Sequence, residues 1–374
     1  MRQRIARLLP ALAVLLALLS GPGPLLAIPS PPPIAASAAV LLDAQTGRLL
    51  YGLAPHVHRS PASTTKLMTA LLVAEALTPN NVVAIGPRAA VERSGSAIGL
   101  EAGERWTAGD LMRAMLMHSA NDAAIALAEG VAGSVEGFAA QMNPRAAALG
   151  ARDTHFVTPH GRYDPRHYSS AYDLALIARA ALANPWIAEI VRSQTWPLRR
   201  GKGRLLINTN KLLWRYPGAD GVKTGWIAES GPTLVASATR GGWQLIAVVL
   251  NSQQVFTDAA ALLTYGFAGF ERIRLGTAGD TVQTRAVQGS GWPLRAVLGG
   301  DALAVIRRGA TVQSRVEITR TSAPIEAGEA VGAIFYLSED TVIGQMPLLA
   351  ADAVPALSGF GRLWQRLRML IGAP

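Results

Sequence analysis

The 374-residue chain contains no cysteine. That excludes a disulfide framework, a thiolate nucleophile and a thiolate metal site. No His-Glu-x-x-His and no Gly-x-x-x-x-Gly-Lys occurs, so neither the zincin helix nor the phosphate-cradling loop is present. No metal and no cofactor are expected. Acidic residues are missing from both ends. The first 28 residues carry Arg2, Arg4 and Arg7, and the last twenty carry Arg362, Arg366 and Arg368. Taking three arginines from each end reduces the formal charge of +10 to +4. That is an ordinary surface and gives no reason to expect a nucleic-acid partner.

The arginines at the start precede a short apolar core, Leu8 to Leu19, and a small-residue site at Leu25-Leu26-Ala27. This is the pattern of an export signal over 1–28, too short for a regular spanning helix, with an uncleaved anchor as the alternative. An exported body has no access to ATP or cytoplasmic cofactors. Pro29 to Pro33 open a proline-rich linker over 29–37. Ala38 to Asp43, a turn at Ala44 to Gly47, and Arg48 to Gly52 read as a β-hairpin.

The next stretch organises the chain. Ser63-Thr64-Thr65-Lys66 leads into Leu67 to Leu77, an apolar run without Gly or Pro that predicts a buried helix starting near Pro61. Ser63 and Lys66 then share a face near the helix N-terminus. A hydroxyl beside an amine at the positive end of a helix is one way to activate a serine without histidine. A capping serine with a solvated lysine is the alternative.

From about 80 to 182 the pattern is mostly helical. His118-Ser119-Ala120-Asn121 interrupts two apolar runs, either as caps or as groups aimed into a cleft. A helix over Asp173 to Ala183 is expected to stop at Asn184-Pro185. Strand patterns return at Gly221 to Trp226, Thr233 to Thr239 and Trp243 to Leu250, the last two joined by a glycine turn, and Phe256 to Phe267 reads as a helix. The fold class is therefore α+β: an antiparallel sheet flanked by helices, with a helical insertion, over 38–271. Short apolar segments between turns make 273–352 a small all-β domain. In 355–374, Phe360, Leu363, Trp364, Leu367, Leu370 and Ile371 recur at helical spacing beside Arg362, Arg366 and Arg368. That is a basic amphipathic helix of the membrane-surface type, or else a terminal helix docked on the body.

Three motifs occur in order: Ser63-x-x-Lys66, Ser119-x-Asn121 and Lys223-Thr224-Gly225. Together with Asp220 to Gly225, Ser119 to Ala123, Asn208 to Leu213 and Thr154 to Gly161, they resemble the serine D-alanyl-D-alanine carboxypeptidases. These are the low-molecular-weight penicillin-binding proteins. The likeness covers about residues 35–270, and the β-domain and tail match the family's common layout. It implies the penicillin-binding-protein and β-lactamase-like transpeptidase fold.

The resemblance implies roles. Ser63 attacks the peptide bond between two terminal D-alanines, giving an acyl-enzyme that water hydrolyses, and the same serine is acylated by β-lactams. Lys66 takes the serine proton, provided that its amine is neutral. Ser119 relays a proton to the leaving amine. Asn121 orients Lys66 and holds the substrate amide, while Lys223 and Thr224 bind the terminal carboxylate. Gly225 lets substrate lie along the strand, and the backbone amides of Ser63 and Trp226 form an oxyanion hole. His160 is expected at the cleft. One departure is Val255, where the family often has an arginine that supports the carboxylate site. Its absence leaves more of the anchoring to Lys223 and Thr224. The partners implied are a peptidoglycan stem peptide ending in D-Ala-D-Ala, β-lactams as covalent inhibitors, and a membrane surface under the tail. The implied location is periplasmic, or the outer face of the cell membrane.

Two other activities stay open: a DD-endopeptidase cutting crosslinks, and a weakly active wall-binding protein. A β-lactamase is disfavoured because no Glu-x-x-Leu-Asn supplies a deacylating glutamate. A histidine triad is disfavoured because Ser63 lies outside a Gly-x-Ser-x-Gly elbow. If the tail is an anchor, deleting 355–374 moves the protein from the membrane to the soluble fraction on cell fractionation. An unchanged distribution refutes the anchor.

Overall fold

The structure is a computed structural model, and it describes residues 30–198, 204–357 and 359. The expected signal segment and amphipathic tail helix lie outside the described residues.

The main sheet has five antiparallel strands in the order Leu49–Leu53, Ala38–Asp43, Trp243–Leu250, Gly231–Arg240, Ala219–Ile227. Both faces are covered, which is why its inner strands read as unbroken apolar runs. All six residues of Ala38–Asp43 are buried. Alternate residues point to opposite sides. Val40, Leu42, Val222, Val235, Ile246 and Val248 join the larger core under the helical insertion. Leu41, Leu234, Leu245 and Val249 meet the helix Val255–Gly269 on the other side. The last strand, Ala219–Ile227, forms an edge of this sheet and carries Lys223, Thr224 and Gly225.

The insertion supplies the helices Lys66–Ala76, Ala108–Met117, Asn121–Ala132, Val135–Ala148 and Ala171–Leu182. Lys66 to Val73 are all buried, so the first two turns of this helix are enclosed on every side, and only its last turn reaches the surface at Glu75 and Ala76. One sequence expectation needs correction, the stop at Asn184-Pro185 holds, and two further elements were not read in the sequence. The Ser63 segment is not one α-helix: Ala62–Thr65 is a 3-10 turn, and the α-helix begins at Lys66. Asn184-Pro185 starts a helix as well as following one. The Asn184 side-chain oxygen accepts from the backbone N–H groups of Trp186 and Ile187, and Pro185 occupies the first turn of Pro185–Arg192. A small hairpin, Thr195–Leu198 with Arg204–Ile207, was not expected.

Beyond Phe270 the chain is all β. Phe270–Gly276 pairs with Ala302–Arg307, and a five-stranded antiparallel sheet follows with its own core around Leu294, Val331 and Leu348. Arg48 donates to the Val305 carbonyl, and Val305 packs into the far-face core of the main sheet, so the two parts are joined.

Asp43 ties the main sheet at its end. Its fully buried carboxylate accepts from Trp243 Nε1 at 2.7 Å and from the backbone N–H of Thr46 at 2.6 Å. Asp43→Ala would orphan the indole N–H and release the hairpin turn. We expect a loss of about 2–3 kcal/mol, read as a lower urea midpoint, with a smaller loss for Asp43→Asn. An unmoved midpoint for Asp43→Ala would refute this.

Candidate active site

The 3-10 turn sets the first distance of the site. Residues i and i+3 eclipse in a 3-10 turn, whereas they splay on an α-helix. Ser63 Oγ and Lys66 Nζ are 2.8 Å apart. The turn is entered through Ala62, whose φ of +47° is left-handed. Gly161, at φ +84°, packs on it so closely that a Cβ there would overlap the Ala62 carbonyl. Only glycine satisfies both the dihedral and the contact.

Lys66 is fully buried, and its nitrogen has three neighbours: Ser63 Oγ, Asn121 Oδ1 at 2.7 Å and the His160 carbonyl at 2.9 Å. The carbonyl can only accept. Asn121 is oriented by its amide N–H, which donates to the Ser94 carbonyl at 2.6 Å, so its oxygen faces the lysine. A neutral amine has two hydrogens and one lone pair. The two fixed acceptors take the hydrogens, and the lone pair is left for the Ser63 hydroxyl. Burial, then the Lys223 charge, hold the Lys66 pKa well below that of a free lysine, which favours this neutral form.

Ser119 comes from the break after Ala108–Met117 and has φ +66°. Its Oγ accepts from Lys223 Nζ at 3.0 Å, and the same ammonium donates to the Thr224 carbonyl at 2.7 Å. Burial lowers the Lys223 pKa to about 7. The Thr224 hydroxyl lies 2.6 Å from that of Thr209. A Cβ on Gly225 would sit 3.0 Å from the backbone nitrogen of Ser63, so the bare glycine keeps the strand against the turn.

Asp122 braces the opposite wall. Buried in the first turn of Asn121–Ala132, it accepts from the backbone N–H groups of Ile98, Gly99 and Leu100. That fixes the loop carrying Ser94, Gly95 and Ser96 over the site. Ser63, Ser119, Asn121, Thr224, Gly225 and Trp226 line one open cleft of about 660 Å³. Lys66 and Lys223 lie directly beneath it. Trp226 is exposed at the mouth. Val255 is buried in the far-face core and does not line the cleft.

His160 does line it, but burial and the neighbouring Lys66 lower its pKa to about 3. An imidazole with that pKa is a poor proton acceptor at neutral pH, which argues against a histidine base. His167 supports the turn from below. Its Nδ1 accepts from the Val157 N–H at 3.0 Å, leaving Nε2–H for the Thr65 hydroxyl at 2.9 Å. Three parts of the site went unrecognised in the sequence: the His160 carbonyl, Thr209, and the Asp122 brace. A backbone carbonyl leaves no trace in residue type, and Asp122 looks like an ordinary first-turn acid. Thr209 lies within Asn208 to Leu213, but its pairing with Thr224 needs the fold.

This arrangement can activate a hydroxyl by a neutral amine beside a buried cation, the chemistry of a serine–lysine acyl-transfer centre. The comparisons agree with that class. Residues 26–254 match the family model described as D-alanyl-D-alanine carboxypeptidase, and residues 270–356 match that of the penicillin-binding protein 5 C-terminal domain. The carboxypeptidase DacD of Escherichia coli is 34% identical over 361 residues, covering 90% of this chain and 91% of that one. DacF of Bacillus subtilis is 32% identical over 332 residues, 85% of each chain. Penicillin-binding protein 5 of Haemophilus influenzae superposes with a TM-score of 0.79 at 30% identity, covering 87% of this chain and 99% of that one. The chain belongs to the D-alanyl-D-alanine carboxypeptidase family of serine hydrolases, the low-molecular-weight penicillin-binding proteins.

The two lysines set opposite pH limits. If Lys66 is the base, it works deprotonated, and acylation rises with pH through its lowered pKa. If Lys223 anchors a substrate carboxylate, it works protonated, and affinity for that carboxylate falls above about pH 7. The kcat/KM profile reports the free enzyme. Its alkaline limb is expected near pH 7, with the limb of kcat at higher pH, because a bound carboxylate stabilises the ammonium. Coincident limbs would refute the assignment of Lys223.

Proposed function

We propose that the protein removes the terminal D-alanine from peptidoglycan stem pentapeptides through an acyl-enzyme on Ser63, and that β-lactams acylate the same serine. The observation that carries this reading is the Lys66 amine, held by two fixed acceptors with its third direction toward Ser63 Oγ. Lys66 takes the hydroxyl proton as Oγ attacks the carbonyl carbon. The backbone N–H groups of Ser63 and Trp226 receive the developing oxyanion, each contributing about 3 kcal/mol. Ser119 Oγ accepts from Lys223, which leaves its own hydrogen for the departing D-alanine nitrogen. Lys223 and Thr224 hold the terminal carboxylate, and Asn121 holds the substrate amide. Gly225 lets the peptide lie along the exposed strand edge. The proton that Lys66 took from Ser63 passes to Ser119, replacing the one given to D-alanine, so Lys66 is neutral again. It then takes a proton from water as the water oxygen attacks the acyl carbon, and returns that proton to Ser63 Oγ as the shortened peptide leaves.

In this reading the chain is an export signal over 1–28, a linker over 29–37, a catalytic domain over 38–271, a β-domain over 273–352 and an anchoring helix over 355–374. The protein works outside the cytoplasmic membrane, in the periplasm or on the outer face, peripherally attached. A second reading, cleavage of crosslinks, draws support from the cleft's carboxylate end. Hydroxyls of Thr209 and Thr224 line it, and the position of the family arginine, Val255, is buried elsewhere.

Purified protein is expected to take a covalent fluorescent-penicillin label and to release D-alanine from a pentapeptide ending in D-Ala-D-Ala. Ser63→Ala should lose the label and about 10⁴-fold or more in D-alanine release. A retained label places the nucleophile elsewhere. Cleavage of crosslinked dimers without release from pentapeptide would favour the second reading.

A further inference from the structure

Two side chains with full formal charge line the cleft: Arg162 and Glu229. His160 also lines it but is neutral at pH 7, and Lys66 and Lys223 are buried beneath. Among the described residues, neither the Arg162 nor the Glu229 side chain has an ion-pair or hydrogen-bond partner. Of the neighbouring exposed charges, Arg166 pairs with Asp164 and Arg88 with Glu136, whereas Arg93 donates only to the Glu92 carbonyl. An unpaired cation and an unpaired anion bordering one cleft match a ligand that carries both charges.

Both charges sit on braced backbone. The Arg162 N–H donates to His160 Nδ1 at 3.1 Å, next to Gly161, which is wedged on the Ser63 turn. Glu229 stands in the turn Ala228–Ser230. The Ser230 hydroxyl holds that turn, accepting from the Ile227 N–H at 3.1 Å and donating to the Gly231 carbonyl at 2.7 Å. In the reading proposed above, the scissile carbonyl lies between Ser63 and the Trp226 N–H. A peptide extended along the strand advances about 3.3 Å per residue. The residue before the acylated D-alanine is then level with Ile227, short of the turn that bears Glu229. The His160–Tyr163 loop borders the same cleft.

We infer that Arg162 and Glu229 form a specificity site for a third stem residue whose side chain ends in an α-amino acid, ammonium and carboxylate together. The inference rests on the carboxypeptidase reading. The carboxylate meets the Arg162 guanidinium, and the ammonium meets the Glu229 carboxylate. A lysine side chain carries the ammonium alone. It satisfies Glu229 but leaves Arg162 unpaired beside a second cation.

The test uses the full chain and two synthetic pentapeptides that differ only at the third residue, meso-diaminopimelate or L-lysine. D-alanine release gives kcat/KM for each. Wild type is expected to prefer the diaminopimelate peptide by about three- to tenfold, the size of one or two exposed charge pairs. Arg162→Gln is expected to bring the ratio close to one, and Arg162→Glu to invert it. Glu229→Gln lowers kcat/KM for both peptides, since both carry the ammonium. The ratio is taken within one preparation, so partial misfolding of a variant cancels. Equal wild-type values, or a ratio unmoved in Arg162→Gln, overturn the inference and leave the carboxypeptidase reading standing. Release from neither peptide, with no penicillin label, overturns the reading on which it rests.

Discussion

The structure is arranged around one buried amine. Lys66 is enclosed at the start of a helix whose first two turns are buried, and none of the three groups that touch its nitrogen carries a formal negative charge. Glu92 and Asp122 act on it from farther out and only partly offset the effects of burial and Lys223. Its neighbours are a hydroxyl, an amide oxygen and a peptide carbonyl. Such a cage disfavours the ammonium and accommodates the free base. Each neighbour is fixed by something farther out. The 3-10 turn fixes Ser63, the Ser94 carbonyl fixes Asn121, and the Gly161 contact fixes the loop that presents the His160 carbonyl. The left-handed Ala62 and Ser119 are the local strain this requires, and both stand directly beside the reacting groups.

Two buried lysines side by side cost stability, and the sign follows from linkage. Lys223 has a folded pKa of about 7 against 10.5 for a free lysine. Between those values the unfolded chain binds a proton that the folded chain does not. Stability therefore rises with pH across that window, and the penalty is fully present below about pH 7. The sheet that carries Lys223 offsets this by burying apolar residues on both faces, between the helical insertion and the Val255–Gly269 helix. The function sits on the sheet's edge strand, while the stability comes from the layers behind it.

What could be read in the sequence follows the same division. Runs such as Ala38 to Asp43 and Trp243 to Leu250 announce strands because burial on two faces removes alternation. The three motifs announce a site because each fixes residue types whose chemistry is complementary. Geometry that depends on backbone alone stays hidden. The step from α-helix to 3-10 turn at Ser63 changes no residue type, yet it sets the 2.8 Å contact with Lys66. Asn184-Pro185 marks the end of one helix as expected, and the helix it also caps went unread because the same pair serves both roles. The hairpin at Thr195–Leu198 and Arg204–Ile207 is too short, and at Pro197 too irregular, to give a strand signal.

In the proposed reading, the two lysines divide the work at the end of the cleft that would hold the substrate carboxylate. Thr209 and Thr224 present hydroxyls there, and the charge comes from Lys223 beneath them. A cation whose pKa in the empty protein is near 7 is only partly charged at neutral pH. An arriving carboxylate favours its protonation, so binding and charging are linked. The Lys223 charge in turn disfavours the Lys66 ammonium. A substrate with a free C-terminus therefore strengthens the condition that leaves the Lys66 lone pair available to Ser63. A ligand without the carboxylate does not. In the proposed reading, selectivity for a chain end and activation of the nucleophile are two consequences of one proton on Lys223.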